Sequence, residues 1–169
     1  MSTIAGGPMT QVLVLVLALA IGVVAGLRAM TAPAVVAWGA MLGWIDVADK
    51  WSEWMAHPIT ATVLTIFLVG ELITDQLPKT PSRKVPPQFI ARLISGGFAG
   101  AVIGSAFFHT FSATGAGMIG AVLGTMAGAA LRAGLADRNH GKDRPGAFIE
   151  DVIAVGGGFL VAFLVSLVP

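Results

Sequence analysis

The 169-residue sequence predicts an all-α integral membrane bundle of six transmembrane helices packed closely through glycine. Three observations lead there. The chain is 56% hydrophobic and 11% charged and contains 22 glycines, a balance outside the range of soluble globular domains. Its apolar residues fall into six segments, at about 11–27, 31–45, 59–77, 88–108, 116–136 and 147–168, and most approach the roughly 20 residues that cross a hydrocarbon core of about 30 Å. Glycine recurs at every fourth position, as Gly96, Gly100 and Gly104 in one segment and Gly120, Gly124 and Gly128 in the next. On a helix that spacing makes one smooth face, a glycine zipper, against which another backbone can lie. Nothing divides the chain, so residues 1–169 form one transmembrane domain.

The first segment, 11–27, follows a stretch with no lysine or arginine. It lacks the basic n-region of a secretory leader and reads as a retained span. In the second segment Thr31 suits the N-cap and Pro33 the first turn. It meets Asp46 after little more than a dozen residues, which leaves open whether it fully crosses. From Trp44 to Pro58, Trp44, Val47, Trp51 and Trp54 follow helical spacing, with Asp46, Asp49, Lys50 and Glu53 on other faces. That pattern predicts an interfacial amphipathic helix over about 44–56, with tryptophan at headgroup depth.

The third segment ends in Glu71 and Asp75, and a proline-rich basic loop leads into the fourth. Arg92 opens the fourth segment's glycine stripe, and Arg132 closes that of the fifth. The sixth carries Glu150, Ala154, Gly158, Ala162 and Ser166 at four-residue intervals. Gly156, Gly157 and Gly158 make it easy to bend or unwind.

Charge sets the orientation. With six crossings, Arg28, Lys79, Arg83, Lys84, Arg92, Arg132, Arg138, Lys142 and Arg144 share one side and Lys50 lies opposite. The positive-inside rule then places both termini on the outer face of a cell (inner) membrane. A five-span version gives eight basic residues against two.

Seven ionisable residues lie in or beside the spans near the inner face: Arg28, Glu71, Asp75, Arg92, Arg132, Glu150 and Asp151. Charges at that depth face protein or water rather than lipid. Arg28 and Arg132 near helix C-termini, and Glu150 and Asp151 near an N-terminus, complement the helix dipole. Glu71, Asp75 and Arg92 oppose theirs. Each therefore needs a partner, and the short loop between the third and fourth spans makes a Glu71/Asp75–Arg92 pairing the expectation. The nest reads either as a salt-bridge network that fixes helix order or as a site for an ion, proton or anionic headgroup. The glycines at 96, 100, 104, 120, 124, 128 and 158 read as packing positions.

Other chemistry is thin. With no cysteine there is no disulfide and no thiolate metal site. His57, His109 and His140 are isolated, and no nucleotide-binding loop or nucleophile elbow occurs. No cofactor, metal or catalytic residue is expected, and the net charge of +1 argues against nucleic acid. The expected partners are membrane lipid, an anionic lipid or small ion, and a second copy of the chain. A small transporter, channel or lipid-headgroup translocase is the leading expectation. A non-catalytic membrane-organising protein comes second and a lipid-modifying enzyme third.

The stretches AGLRAMTAPAVVAWGA (25–40), GELITDQLPKTPSRKVPPQFIARLISGGFAGA (70–101) and IEDVIAVGGG (149–158) resemble the bacterial membrane proteins of the domain of unknown function 4126 family. The acidic–proline–arginine segment is the most specific part of the likeness. Its compact PKTPSRKVPP connection marks a short variant. The resemblance implies an integral inner-membrane protein of several helices and no known activity.

Overall fold

The computed structural model describes residues 7–74, 86–138 and 144–169. Within them lie six α-helices: α1 (Pro8–Leu27), α2 (Thr31–Met41), α3 (Pro58–Thr74), α4 (Pro86–Ala106), α5 (Thr110–Arg138) and α6 (Arg144–Val165). A single 3₁₀ turn (Glu53–Ala56) precedes α3. Proline stands at the first or second position of α1, α3, α4 and α6, where its missing N–H and fixed φ suit a helix start.

Four helices, α1, α4, α5 and α6, are long and apolar enough to cross a membrane, so this is a helical membrane protein. The other two are shorter. With 11 residues, α2 is only about 16 Å long at 1.5 Å per residue, and α3 has 17 residues. Six complete crossings therefore depend on the chain flanking these two helices.

Successive helices alternate in direction. At one end, the Thr10 hydroxyl near the start of α1 lies 3.5 Å from the Pro169 carbonyl oxygen. At the other, Arg28 after α1 meets Asp151 in the first turns of α6. Beside them, Trp38 Nε1 of α2 donates to Thr65 Oγ1 of α3 at 2.9 Å, and Glu71 near the end of α3 reaches the start of α2. The end of α1, the start of α2, the end of α3 and the first turns of α6 thus gather at one end, the charged end.

The core forms around α1, whose Val14, Ala18, Ile21 and Ala25 are fully buried. Helix α5 lies between α1 and α4, and its small residues serve two faces. A Cβ on Gly96, Gly100 or Gly104 of α4 would come closer than 3.0 Å to Gly117, Ala113 or Ala121 of α5 or to His109 just before it. A Cβ on Gly120 or Gly124 would come that close to the backbone of Leu19 or Val23 in α1. The two glycine stripes are therefore not each other's partners, as a simple hairpin would have them. At about 100° per residue, Gly117 and Gly120 lie some 60° apart around α5. That angle suffices to turn Gly120 and Gly124 to α1, while Gly117 and Ala121 lie between the two helices, with their carbonyls also against Gly22 and Gly26 of α1.

The segment after α2 departs from the predicted amphipathic helix. Gly43 takes φ +75°. The Trp44 N–H returns to the Gly39 carbonyl and the Gly43 N–H to the Ala40 carbonyl, the two bonds of a Schellman stop. Asp46 then accepts the Ala48 N–H at 3.2 Å, a local side-chain turn that competes with helix. Asp49 at φ +58° breaks any continuation.

What remains is a folded cap over the far end of the bundle. Ile45, Val47 and Met55 are buried, and Ser52 and Ser105 share a buried hydrogen bond of 2.6 Å. Trp51 and Trp54 lie beside Phe98, and the Lys50 ammonium sits 3.8 Å above the Phe108 ring. Trp51 and Trp54 stay half-exposed, and the predicted helix is replaced by turns and a single 3₁₀ turn.

On α6, Glu150, Ala154, Gly158 and Ala162 form one buried face and Ser166 is exposed. Gly158 touches Val35 and Val24, whereas a Cβ on Gly156 or Gly157 would meet nothing within 4 Å. The helix runs through all three glycines without a break.

Candidate functional site: a polar hub at the α1–α2 corner

Between Leu27 and Thr31 the chain turns sharply from α1 into α2. Such a corner exposes the last carbonyls of one helix beside the first amides of the next, and apolar surroundings offer neither a partner. Side chains from three other helices supply them. The Glu71 carboxylate of α3 accepts the Ala29 N–H at 2.9 Å and the Met30 N–H at 2.8 Å, one on each oxygen. From α4, Arg92 Nη1 donates to the Gly26 carbonyl at 2.6 Å and the Leu27 carbonyl at 3.2 Å, and the Ser95 hydroxyl donates to the Ala29 carbonyl. From α5, Thr125 Oγ1 lies 3.3 Å from the Gly26 carbonyl.

These contacts resolve the dipole puzzle differently from the expected Glu71–Arg92 pair. Each charge opposes the dipole of its own helix but complements that of another: Glu71 sits at the positive start of α2, and Arg92 at the negative end of α1. Glu71 also takes the capping role expected of Thr31. Met30 occupies the N-cap position without a side-chain bond. Thr31 is the first helical residue, fully buried, and its hydroxyl has no hydrogen-bond partner among the described residues. Asp75, the other proposed partner of Arg92, lies outside the described residues.

Two ion pairs among the described residues add to the hub, and both involve α6. Arg28 Nε donates to Asp151 Oδ1 at 2.7 Å, with Nη2 also in contact. Arg132 Nε donates to Glu150 Oε2 at 2.6 Å. Because consecutive helical residues point about 100° apart, the adjacent acids of α6 reach two different helix systems, the end of α1 and the end of α5. Arg28 and Glu150 are buried at 0% and 1% side-chain exposure, while Arg132 and Asp151 keep 19% and 14%. Arg132 and Asp151 are therefore the accessible members of the two ion pairs, and Glu71 is partly exposed as well.

Six of the seven predicted charged residues are thus brought to one end, three arginines against three carboxylates. Their formal charges cancel. Ser95 and Thr125 were missed because each looks like an ordinary small polar residue inside a span. The available signal was position: Ser95 stands one turn after Arg92, and Thr125 two turns before Arg132.

His57 and His109 stay outside the hub. His57 Nδ1 accepts the Ile59 N–H at the start of α3, the His109 carbonyl accepts the Ala113 N–H at the start of α5, and His140 lies outside the described residues. No group of three His, Cys, Asp or Glu among the described residues is placed to hold a metal ion.

The family model described as Domain of unknown function (DUF4126) matches residues 15–168, nearly the whole chain. The chain belongs to this family. No curated protein and no solved structure matches it. For this DUF4126 member the matched range takes in the corner, every side chain of the hub and the glycine faces that align them.

Proposed function

We propose that the protein is a small transporter or lipid-headgroup translocase of the inner membrane, with its polar site at the cytoplasmic leaflet and both termini outside. The arginine and lysine asymmetry of the sequence supports that orientation. One observation carries the functional reading: Glu150 and Asp151 tie α6 to the rest of the bundle through ion pairs with Arg132 and Arg28. By contrast, Arg92 and Glu71 are bonded to backbone at the corner. Ion pairs at a partly accessible edge can exchange protein partners for a ligand's phosphate, carboxylate or ammonium, and bonds that hold a chain reversal cannot do so without unfolding it. The exchangeable set is therefore Arg132, Glu150, Arg28 and Asp151, with α6 the element that moves.

The test is reconstitution of Glu150→Gln and Arg132→Gln in liposomes, with movement of a headgroup-labelled phospholipid and ion flux as readouts. The expected result is loss of movement in protein that still inserts, with Glu150→Gln, which leaves the partly exposed Arg132 an acceptor, the more stable of the two variants. Unchanged movement in both variants would contradict the proposal.

A second reading, a non-catalytic protein that organises other membrane helices, is favoured by the backbone-to-backbone packing of α1, α4 and α5. That core leaves little room to rearrange. Under this reading the same variants lose a partner or a homo-oligomer and no flux is ever seen.

A further inference from the structure

The two ion pairs of α6 share one pattern: each joins a buried charge to a partly accessible charge of the opposite sign. In one, Arg28 is buried and Asp151 keeps 14% exposure; in the other, Glu150 is buried and Arg132 keeps 19%. The accessible members are thus one cation and one anion, and the buried members behind them are one of each sign as well. Glu71 is also partly exposed, but its two oxygens are taken by the Ala29 and Met30 amides. Asp151 differs. Both of its contacts with Arg28 fall on Oδ1, which leaves Oδ2 for a further donor.

We propose that these two charges receive a zwitterion, the phosphate–ammonium headgroup of an ethanolamine phospholipid, with its phosphate on Arg132 and its ammonium on Asp151. Charge balance at the buried members selects that occupant. An anion alone at Arg132 takes the ion-pair partner of the buried Glu150, and a cation alone at Asp151 takes that of the buried Arg28. Breaking a buried pair from one side is strongly destabilising. A ligand that brings both signs releases Glu150 and Arg28 together, and those two can neutralise each other. Glu150 is the chain neighbour of Asp151, which already touches Arg28, so the exchange moves Arg28 between adjacent residues of one helix. The guanidinium fork suits the phosphate, and the ammonium N–H groups suit Oδ2. The assignment names the class of cargo for the translocase and rests on that reading for the cargo role alone. Soluble phosphoethanolamine carries the same two charges, so the experiment separates the two sources.

The full chain is placed in nanodiscs of phosphatidylethanolamine and phosphatidylglycerol in equal parts, and the lipid that stays bound is measured by native mass spectrometry. The parent should retain phosphatidylethanolamine about tenfold over phosphatidylglycerol, the gain of one charge-assisted hydrogen bond. Asp151→Asn should abolish that preference, and Asp151→Glu, which keeps the carboxylate, should preserve it. The two lipids compete on one protein, so a loss of stability lowers both and leaves their ratio to report on the site. Equal retention by the parent, or an unchanged ratio in Asp151→Asn, would overturn the assignment. Release of the bound lipid by soluble phosphoethanolamine would transfer the site to the free zwitterion and overturn the lipid as its source; undisturbed lipid supports the headgroup. A tenfold ratio in a parent that moves no lipid between leaflets keeps the zwitterion site and removes the translocase reading. Equal movement of both lipids with no preference in binding does the reverse.

Discussion

Gly22→Ala and Gly156→Ala make the same chemical change on two helices, and opposite effects are expected from them. A Cβ on Gly22 would come closer than 3.0 Å to the Gly117 carbonyl group and Cα, all backbone atoms. No side-chain rotation relieves that overlap, so α1 and α5 must separate along their shared length. Inserting carbon into a packed core costs about 1–3 kcal/mol. Alanine's better helix propensity returns at most about 1 kcal/mol.

Gly156 has nothing within 4 Å, so only the propensity gain of about 0.5–1 kcal/mol remains there. If the helices persist in the unfolded state in micelles, the propensity contribution cancels from both variants. The gap between them stays near 1–3 kcal/mol, the overpacking cost itself. Denaturant unfolding in a mild detergent, with both variants under the same conditions, measures that gap. Gly22→Ala as stable as Gly156→Ala would refute the backbone contact between α1 and α5.

Three further outcomes are expected. Glu71→Ala leaves two partly buried amides at the start of α2 without their acceptor, which costs about 1–3 kcal/mol for each orphaned group. Glu71→Gln keeps one acceptor oxygen and loses less, and both are read by the same unfolding measurement. Arg28→Met strands the Asp151 carboxylate and should cost about 3–5 kcal/mol, while adding Asp151→Leu should recover most of that loss. Recovery would be absent if Arg28 acted only by packing. Ser105→Ala removes a buried partner of Ser52 and should lower stability by about 1–3 kcal/mol in the same unfolding measurement.

The helices were legible because lipid imposes simple rules on composition and length, and each of the six apolar segments holds one helix. The depth of the charges was legible too, since four-residue spacing carries Arg132 and Glu150 along their stripes to the same end. Partner choice was not. Gly120 and Gly124 face α1 rather than α4 because a small rotation around α5 decides it, and the glycine spacing is the same in either case. Glu71 and Arg92 were recognised as needing partners, and the described residues include backbone partners for both at the Gly26–Met30 corner, which the side-chain pattern does not record. The amphipathic spacing from Trp44 to Trp54 predicted a helix that does not form. Local turn chemistry at Gly43, Asp46 and Asp49 then overrode the helical period.

The division of the hub into fixed and exchangeable charges is tested most directly by swapping one pair. Arg132→Glu combined with Glu150→Arg keeps an ion pair between α5 and α6 while reversing the charge at the accessible edge. Unfolding stability and movement of headgroup-labelled phospholipid are measured on the same reconstituted protein. Near-parental stability with lost lipid movement is the expected result. Parental behaviour in both would make the pair a structural link alone and contradict its assignment as the working site.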